Sequence, residues 1–542
     1  MDLLSVAGLT IAVLDQLWKI GDRTAELVSN FRDFDNDTKV LENKIRDENN
    51  RTRALHMLLF EPSSTYGGKS LFEQFDAEVQ GQIHIFLEQA TGVLGQAYEL
   101  LCRRDENAAS DKEPKATLTV SSPRPGSLTP LSGESSLATI RRLGSFQRLR
   151  WSLLDKKRVE VIVRDFSELN GRIHENIKLW CLGTSVGVNL QHLKRLENDH
   201  SSRALGFDVD ARLQMATRLA QTIPMTLEQN DGLVQQRILD VKEYGDKFGV
   251  FTWEGKPVLV EYRSYAPESP VPIELDDRTR DLVDQLANLL HQPKEIVFRT
   301  PCCEGWVRQM QQNRVIFMFA IPETVDPTPV SLLKVLSVND QAPPSLSQRF
   351  QLAVKLSRCI SQLQLVKWVH ESFRSENILF FPTLPNTEEP KGRLDLSEPW
   401  VLGFEFSRPE TYFSQGLEDI CFLRDIYRHP DRQRHPSQPF NKMHDIYALG
   451  VVLLEIGLWQ EASSLEKSGF SRYPEPHAIK KHIIRHAEKR LGAKMGGGYQ
   501  SVVLKCLQGS FDVANDTKED LKLQQAFRAQ VVDVLQKAAD NI

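Results

Sequence analysis

The stretch Trp368-Val-His-Glu-Ser-Phe-Arg-Ser-Glu-Asn-Ile-Leu-Phe380 decides how this chain is read. Polar side chains, among them His370, Ser372, Arg374, Glu376 and Asn377, are enclosed by apolar residues at both ends. A helix is expected just before it, with an apolar stripe at Ala353, Leu356, Ile360 and Leu363. A second helix is expected after it, over Asp445-Ile-Tyr-Ala-Leu-Gly-Val-Val-Leu-Leu-Glu455. That run is apolar nearly all round, too short to cross a bilayer, and opens on an Asp able to cap a helix.

Together these residues resemble the catalytic loop and the buried central helix of the protein kinase family. In that family a His opens the loop, an Asp two residues later is the base, and an Asn five residues further binds magnesium. His370 stands at the opening, Asn377 at the magnesium position, and Ser372 where the base belongs. A Ser alcohol does not serve as a base near neutral pH unaided. The family's Asp-Phe-Gly appears as Gly403-Phe404-Glu405, so Phe404 keeps its packing role and Gly403 offers no carboxylate. His429-Pro430-Asp431 stands where the family has Ala-Pro-Glu. Asp445 matches the Asp that braces the catalytic loop, a structural role.

The order of elements ahead of the loop agrees with a kinase small lobe. Short β-rich runs are expected at Phe248 to Thr252 and Val258 to Tyr262, joined by the turn Glu254-Gly-Lys-Pro257. A helix is expected at Thr279 to Leu290, then strands at Gly305 to Gln309 and Arg314 to Ile321. The resemblance implies a nucleotide site here, and its parts are degenerate. Gly245 and Gly249 are the glycines in the loop region, with Asp246 adding charge unfavourable to phosphate. Glu261 falls where the strand lysine belongs. Arg263 shares its face by strand alternation. Three losses together imply a pseudokinase that requires no cofactor and retains at most weak ATP and magnesium binding.

The first 105 residues read as helices, with Leu3, Ala7, Leu14 and Trp18 on one face. Gly21-Asp22 is expected to cap or kink the first of them. Charge-rich helix continues through Val40, Leu41, Ile45 and Leu55 to Phe60, and the turn-rich Glu61 to Gly68 leads into a helix from Leu71 to Leu101. Residues 106–140 are rich in Ser, Pro, Thr and Gly and read as a disordered insertion. Arg141, Arg142, Arg148, Arg150, Lys156, Lys157 and Arg158 follow. They suit an anionic-lipid patch, although a solvated helix face is the commoner meaning of such a run. Val159, Ile162, Val163, Phe166, Leu169, Ile173 and Ile177 then recur at helical spacing.

The opening Val6-Ala-Gly-Leu9 and the motif Arg150-Trp-Ser-Leu-Leu-Asp-Lys-Lys157 resemble the HeLo domain, a helical domain of fungal prion-controlled cell-death proteins. The resemblance covers residues 1–200. It implies a bundle whose first helix can be released to disrupt membranes. The uncharged run Leu3, Leu4, Val6, Ala7, Leu9, Ile11, Val13 and Leu14 is the candidate membrane segment. At about 12 residues it is shorter than the roughly 20 that span a bilayer, so a core helix is the plainer reading.

The expected architecture is therefore multidomain. Residues 1–200 form an N-terminal all-α helical bundle, 201–240 a connecting segment, and 241–542 a C-terminal α+β bilobal protein-kinase-like fold. The net charge of −5 gives no reason to expect nucleic acid. Seven scattered cysteines without a Cys-x-x-Cys point to a reduced protein with no disulfide framework or zinc site. His482 and His486 share a helical face as metal ligands do, but no third ligand is near in sequence, so no metal is expected. Gly496-Gly-Gly498 lacks a following Lys and reads as a loop. The resemblances imply a cell-death effector with protein partners, a homo-oligomer, an anionic membrane surface and a cytoplasmic location that shifts to the plasma membrane. The competing readings are an active kinase with atypical motifs and a non-enzymatic scaffold.

Overall fold

A computed structural model describes residues 6–29, 36–110, 156–216, 242–244, 247–253, 255–266, 269–338, 343–384, 393–404, 408–409, 422–433, 438–466 and 475–542. The chain divides into two compact units. One comprises residues 1–181 and 195–208, the other 182–194 and 209–542.

The first unit is helical, as its periodicity dictates. Helices α1 (Val6–Ser29), α2 (Asn36–Phe60) and α3 (Ala77–Ser110) are followed by a long helix at Lys156–Gly183. Each turns an apolar stripe inward. Leu14, Leu17, Ala25 and Val28 of α1 are buried, with Ile45, Leu55 and Leu58 of α2, Ile83, Leu87 and Leu94 of α3, and Val163, Phe166, Ile173 and Ile177 of the fourth. Charged side chains are buried with them, Glu48 among them. The Glu48 carboxylate accepts from Ser167 Oγ at 2.6 Å and Asn170 Nδ2 at 2.7 Å, which answers the cost of burial with hydrogen bonds.

Three expectations need correction. Helix α1 neither caps nor kinks at Gly21-Asp22 but runs through to Ser29. The glycine serves packing instead, since a Cβ there would lie 2.4 Å from Asn49 Oδ1. Leu17 rather than Trp18 is buried, because the stripe follows Leu14 by three and not four; Trp18 is half-buried, with the Arg53 guanidinium over its ring. Helix α3 begins at Ala77 and not at Leu71, because Phe72–Gln74 forms a separate 3-10 turn. Leu3, Leu4, the basic run from Arg141 to Arg150 and all of the expected disordered insertion beyond Ser110 lie outside the described residues.

The second unit contains a five-stranded antiparallel sheet of order β1-β2-β3-β5-β4. Its strands are β1 (Lys242–Tyr244), β2 (Phe248–Trp253), β3 (Lys256–Ser264), β4 (Cys303–Gln309) and β5 (Arg314–Ala320). The expected hairpin is present, with Gly255 in its turn at φ +81°. The Asp277–His291 helix connects β3 to β4 and lays Val283, Leu286 and Leu290 into the core that contains Leu259, Trp306 and Phe317. Strand alternation sends Val258, Val260, Tyr262, Ile316 and Met318 to a separate apolar cluster.

Helices follow the sheet, as expected. The Leu346–Leu365 helix opens with a complete capping box, in which Ser345 and Gln348 exchange side-chain bonds to each other's backbone N–H. The Lys442–Leu458 helix is buried at every position from His444 to Leu458, which explains its lack of a polar face. Gly496, at φ +81°, interrupts the helical run Gly492–Gln508. The terminal helical run from Leu521 reaches Asp540 through a π-helical turn at Arg528–Val532.

The contact at Gly21 gives an opposite pair of substitutions. Asn49 is held by its bond to Asp22 at 2.7 Å and cannot yield without losing it. Gly21→Val is expected to destabilise the first unit by about 1–3 kcal/mol despite valine's better helix propensity. Gly92→Ala on α3, where a Cβ meets nothing within 4 Å, is expected to be stabilising by up to about 1 kcal/mol. Thermal melts of the two variants check the signs; a stabilising Gly21→Val would remove the packing argument.

Candidate functional site

The loop from His370 to Asn377 is held by one carboxylate. Asp445, in the first turn of the Lys442–Leu458 helix, accepts the backbone N–H of His370 at 2.8 Å through Oδ2. Its Oδ1 accepts the N–H of Glu371 at 3.0 Å. Glu371 is in the left-handed region at φ +60°, unusual for a side-chain-bearing residue. The paired bonds hold that backbone in place. The buried His370 ring packs on Phe404, centroids 4.7 Å apart, and edge-on to Phe373 at 5.6 Å.

Every candidate side chain in the loop engages a neighbour. Arg374 Nη1 donates to Ser372 Oγ at 2.7 Å and its Nε to Glu376 at 2.9 Å. Asn377 Nδ2 donates to the Ser372 carbonyl at 2.7 Å. The Gly403 N–H donates to Glu261 Oε2 at 2.9 Å, tying β3 to the segment after the loop. Gly403 sits at φ +86°, and a Cβ there would lie 2.0 Å from Asn377 Nδ2. A carboxylate-bearing residue at 403 is thus excluded unless Asn377 moves. Glu261 is buried in β3, opposite Phe248 and Phe317, and Arg263 is half-buried two residues on. Gly249 is a ladder position of β2 paired with Val260 and Glu243, not a loop residue. Gly245, Asp246 and Glu405 lie outside the described residues.

A second buried network lies beyond the sequence reading. Tyr427 donates its hydroxyl to Glu455 Oε1 at 2.7 Å, and Ser375 of the loop meets Tyr427 Oη at 2.8 Å. The Ala462 N–H also donates to Glu455 Oε1, at 2.8 Å. Burial pushes the Glu455 carboxyl up to about 7, because these donors offset only part of the desolvation. His429 and His444 stack with centroids 5.2 Å apart, and Asp431 Oδ2 lies 3.2 Å from His429 Nδ1. Burial pushes His444 down to about 3, with His429 and Arg432 adding to the effect, so it is neutral at physiological pH.

Residues 279–542 match a family described as a domain of unknown function, DUF7580. The match opens inside the Asp277–His291 helix. It takes in the His370 loop, Gly403 and Asp445, and leaves β1–β3 with Glu261 outside. No curated protein matches the chain.

Two outcomes follow from the buried carboxylates. Asp445→Ala leaves the His370 and Glu371 N–H groups without their acceptor and should lower the second unit's stability by about 1.5–3 kcal/mol or more. An unchanged melting temperature is the contrary result. Glu455 gives a pH dependence of known sign. Its folded carboxyl holds a proton up to about 7, while the unfolded one releases it near the usual carboxylate value of 4.5. Stability therefore falls as pH rises through that window, by on the order of 3 kcal/mol for one site. Glu455→Gln should melt higher than the wild type at pH 8, and the difference should shrink at pH 5. A pH-independent difference would exclude this titration.

Proposed function

We propose that this chain is a signalling effector of the cell-death type, in which a kinase-like domain without phosphotransfer chemistry regulates a helical unit that acts at a membrane surface. The kinase-like reading is supported by the order of elements. A five-stranded antiparallel sheet carries a helix between β3 and β4, and helices follow it, with a polar loop braced from the start of a buried helix. The observation that carries the loss of chemistry is the pairing of Glu261 with the Gly403 N–H. A carboxylate where the strand lysine belongs repels phosphate, and a glycine where the metal-binding Asp belongs leaves magnesium without its ligand. The Ser372 hydroxyl already accepts from Arg374, and an Arg-bound alcohol is no base. The domain so read needs no cofactor and retains at most weak ATP and magnesium binding.

The membrane part of the proposal rests on α1. Val6 and Leu9 are 46% and 43% exposed, while Ala7, Ile11 and Val13 are half-buried and Leu14 is buried. No helix among the described residues is long and apolar enough to cross a membrane, which favours action at the lipid surface over spanning. The partners proposed are proteins, including further copies of this chain, and an anionic membrane reached from the cytoplasm; nucleic acid is not among them.

The full chain incubated with γ-labelled ATP and magnesium should label neither itself nor a generic substrate. Labelling abolished by Asn377→Ala would establish the competing active-kinase reading. The full chain should also release dye from anionic liposomes, and Val6→Glu/Leu9→Glu should suppress release, since a carboxylate in hydrocarbon costs about 2.5–3.5 kcal/mol. These positions are already exposed, so loss of fold does not explain the effect. No release, or equal release by the variant, leaves the plain scaffold reading in its place.

A further inference from the structure

We propose that Arg349, Arg490 and Lys494 form a binding site for a phosphomonoester group, carried by a small soluble molecule or by a lipid headgroup. The three come from separate stretches of the second unit and meet at the C-terminal end of the buried Lys442–Leu458 helix. Arg349, in the first turn of the Leu346–Leu365 helix, donates Nη1 to the Gly457 carbonyl at 3.2 Å. Lys494 Nζ donates to the next carbonyl, that of Leu458, at 3.0 Å. Arg490, in the π-helical turn Ala487–Leu491, donates Nη2 to Gln460 Oε1 at 2.7 Å.

The helix end accounts for part of this arrangement. Its last carbonyls have no partner within the helix, and two of the cations supply one. The macrodipole there amounts to only about half a negative charge, against three full positive charges. Among the described residues none of the three forms an ion pair, and each side chain makes a single hydrogen bond. Elsewhere in the unit Arg299 pairs with Glu398, Arg374 with Glu376 and Arg428 with Asp425. Arg485, earlier on the helical run that carries Arg490, is answered by Glu466, which His482 and His486 also meet. Glu461, next to Gln460 in the chain, accepts from the Ser337 and Ser463 hydroxyls instead.

The cluster is under-bonded as well as over-charged. An arginine offers five N–H groups and a lysine three. Arg349 Nε is shielded from solvent with no partner. Desolvation lowers the Lys494 ammonium from its usual value, and the like charges of Arg490 and Arg349 lower it further. A phosphomonoester, with a charge of about −1.5 to −2 near neutral pH, turns that repulsion into attraction and matches the surplus. Guanidinium groups suit it because their planar N–H forks meet phosphate oxygens in pairs. The approach is open. Lys494 is exposed, and a Cβ on Gly496, Gly497 or Gly498 just after it would meet nothing within 4 Å. The site does not depend on α1 or on the membrane reading.

The test is calorimetric titration of glycerol 3-phosphate into the full chain at constant ionic strength. Binding should saturate at one equivalent. Arg490→Gln/Lys494→Gln should weaken it about tenfold or more. Lys481→Ala/Lys489→Ala, which removes the same charge from exposed positions of the same helical run, should leave it unchanged. In the wild type, where folding is not at issue, the bound phosphate should slow acetylation of Lys494 and not of Lys481 or Lys489. Vesicles identify the source of the group. Stronger recruitment to phosphatidic acid than to phosphatidylglycerol at equal surface charge, lost in Arg490→Gln/Lys494→Gln, assigns it to a lipid headgroup; equal recruitment assigns it to a soluble molecule. No saturable binding, full affinity in Arg490→Gln/Lys494→Gln, equal weakening by Lys481→Ala/Lys489→Ala, or an unprotected Lys494 each overturns the proposal.

Discussion

The second unit depends on one buried carboxylate placed between a helix start and a loop. Asp445 accepts two successive backbone N–H groups, one to each oxygen. Those groups face inward and have no strand partner. Without an acceptor each would carry the desolvation cost of a buried polar group. The carboxylate is itself eased by the N-terminal turn it occupies, where helix N–H groups and the macrodipole favour negative charge. Its position is fixed from below as well. Asn441 and His444 form a reciprocal cap at the helix start, and Tyr499 donates to the Leu453 carbonyl at 2.7 Å. The loop's geometry is therefore a consequence of where the helix is packed.

From that loop a chain of bonds runs to the sheet. Asn377 holds the Ser372 carbonyl, the Asn377 carbonyl accepts the Leu402 N–H at 2.9 Å, and Gly403 reaches Glu261 on β3. Arg374 closes on the Ser372 hydroxyl. On the proposed kinase-like reading, several groups that elsewhere would meet nucleotide, metal or acceptor hydroxyl here satisfy one another. Inactivity then has a second cause beyond missing residues. Ser372→Asp alone would place a carboxylate beside Arg374, where an ion pair would lower its basicity, and Gly403→Asp would collide with Asn377. Recovered chemistry would need several concerted changes.

Much of the second unit was legible because its signals are local. Alternation marked β2 through β5, and the Gly255 turn marked their hairpin. A run apolar on all sides marked a helix with no free face. The role of Asp445 was legible only through the resemblance to the protein kinase family, whose matching Asp braces the loop; the helix is capped by Asn441, and Asp445 reaches the loop from inside the first turn. What escaped depends on contacts without period. Gly21 looked like a helix breaker because glycine usually weakens helices; that α2 needed its missing side chain is a fact about a second element. Glu455 looked like a helix end, and its partners Tyr427 and Ala462 come from irregular segments. Glu466 precedes His482 by sixteen residues with no pattern between them, so only the folded chain brings them together.

The burial of α1 limits any mechanism that releases it. Leu14, Leu17 and Val28 are inaccessible to water. Exposing such side chains costs about 1.5–3 kcal/mol each, so freeing the whole helix costs about 5 kcal/mol or more before lipid contributes anything. A ligand at the second unit can shift that balance only by its differential affinity for the two states, and a full reversal requires about a ten-thousandfold difference. The first turn is another matter. Val6 and Leu9 already face solvent, and Ala7 and Ile11 are only partly covered. Engaging lipid with that turn alone spends little of the packing below Leu14. On the proposed membrane-effector reading, a switch of modest affinity would work most readily by presenting the tip of α1 while its lower turns stay in the bundle, and complete release would need a stronger input such as assembly of several copies on one surface.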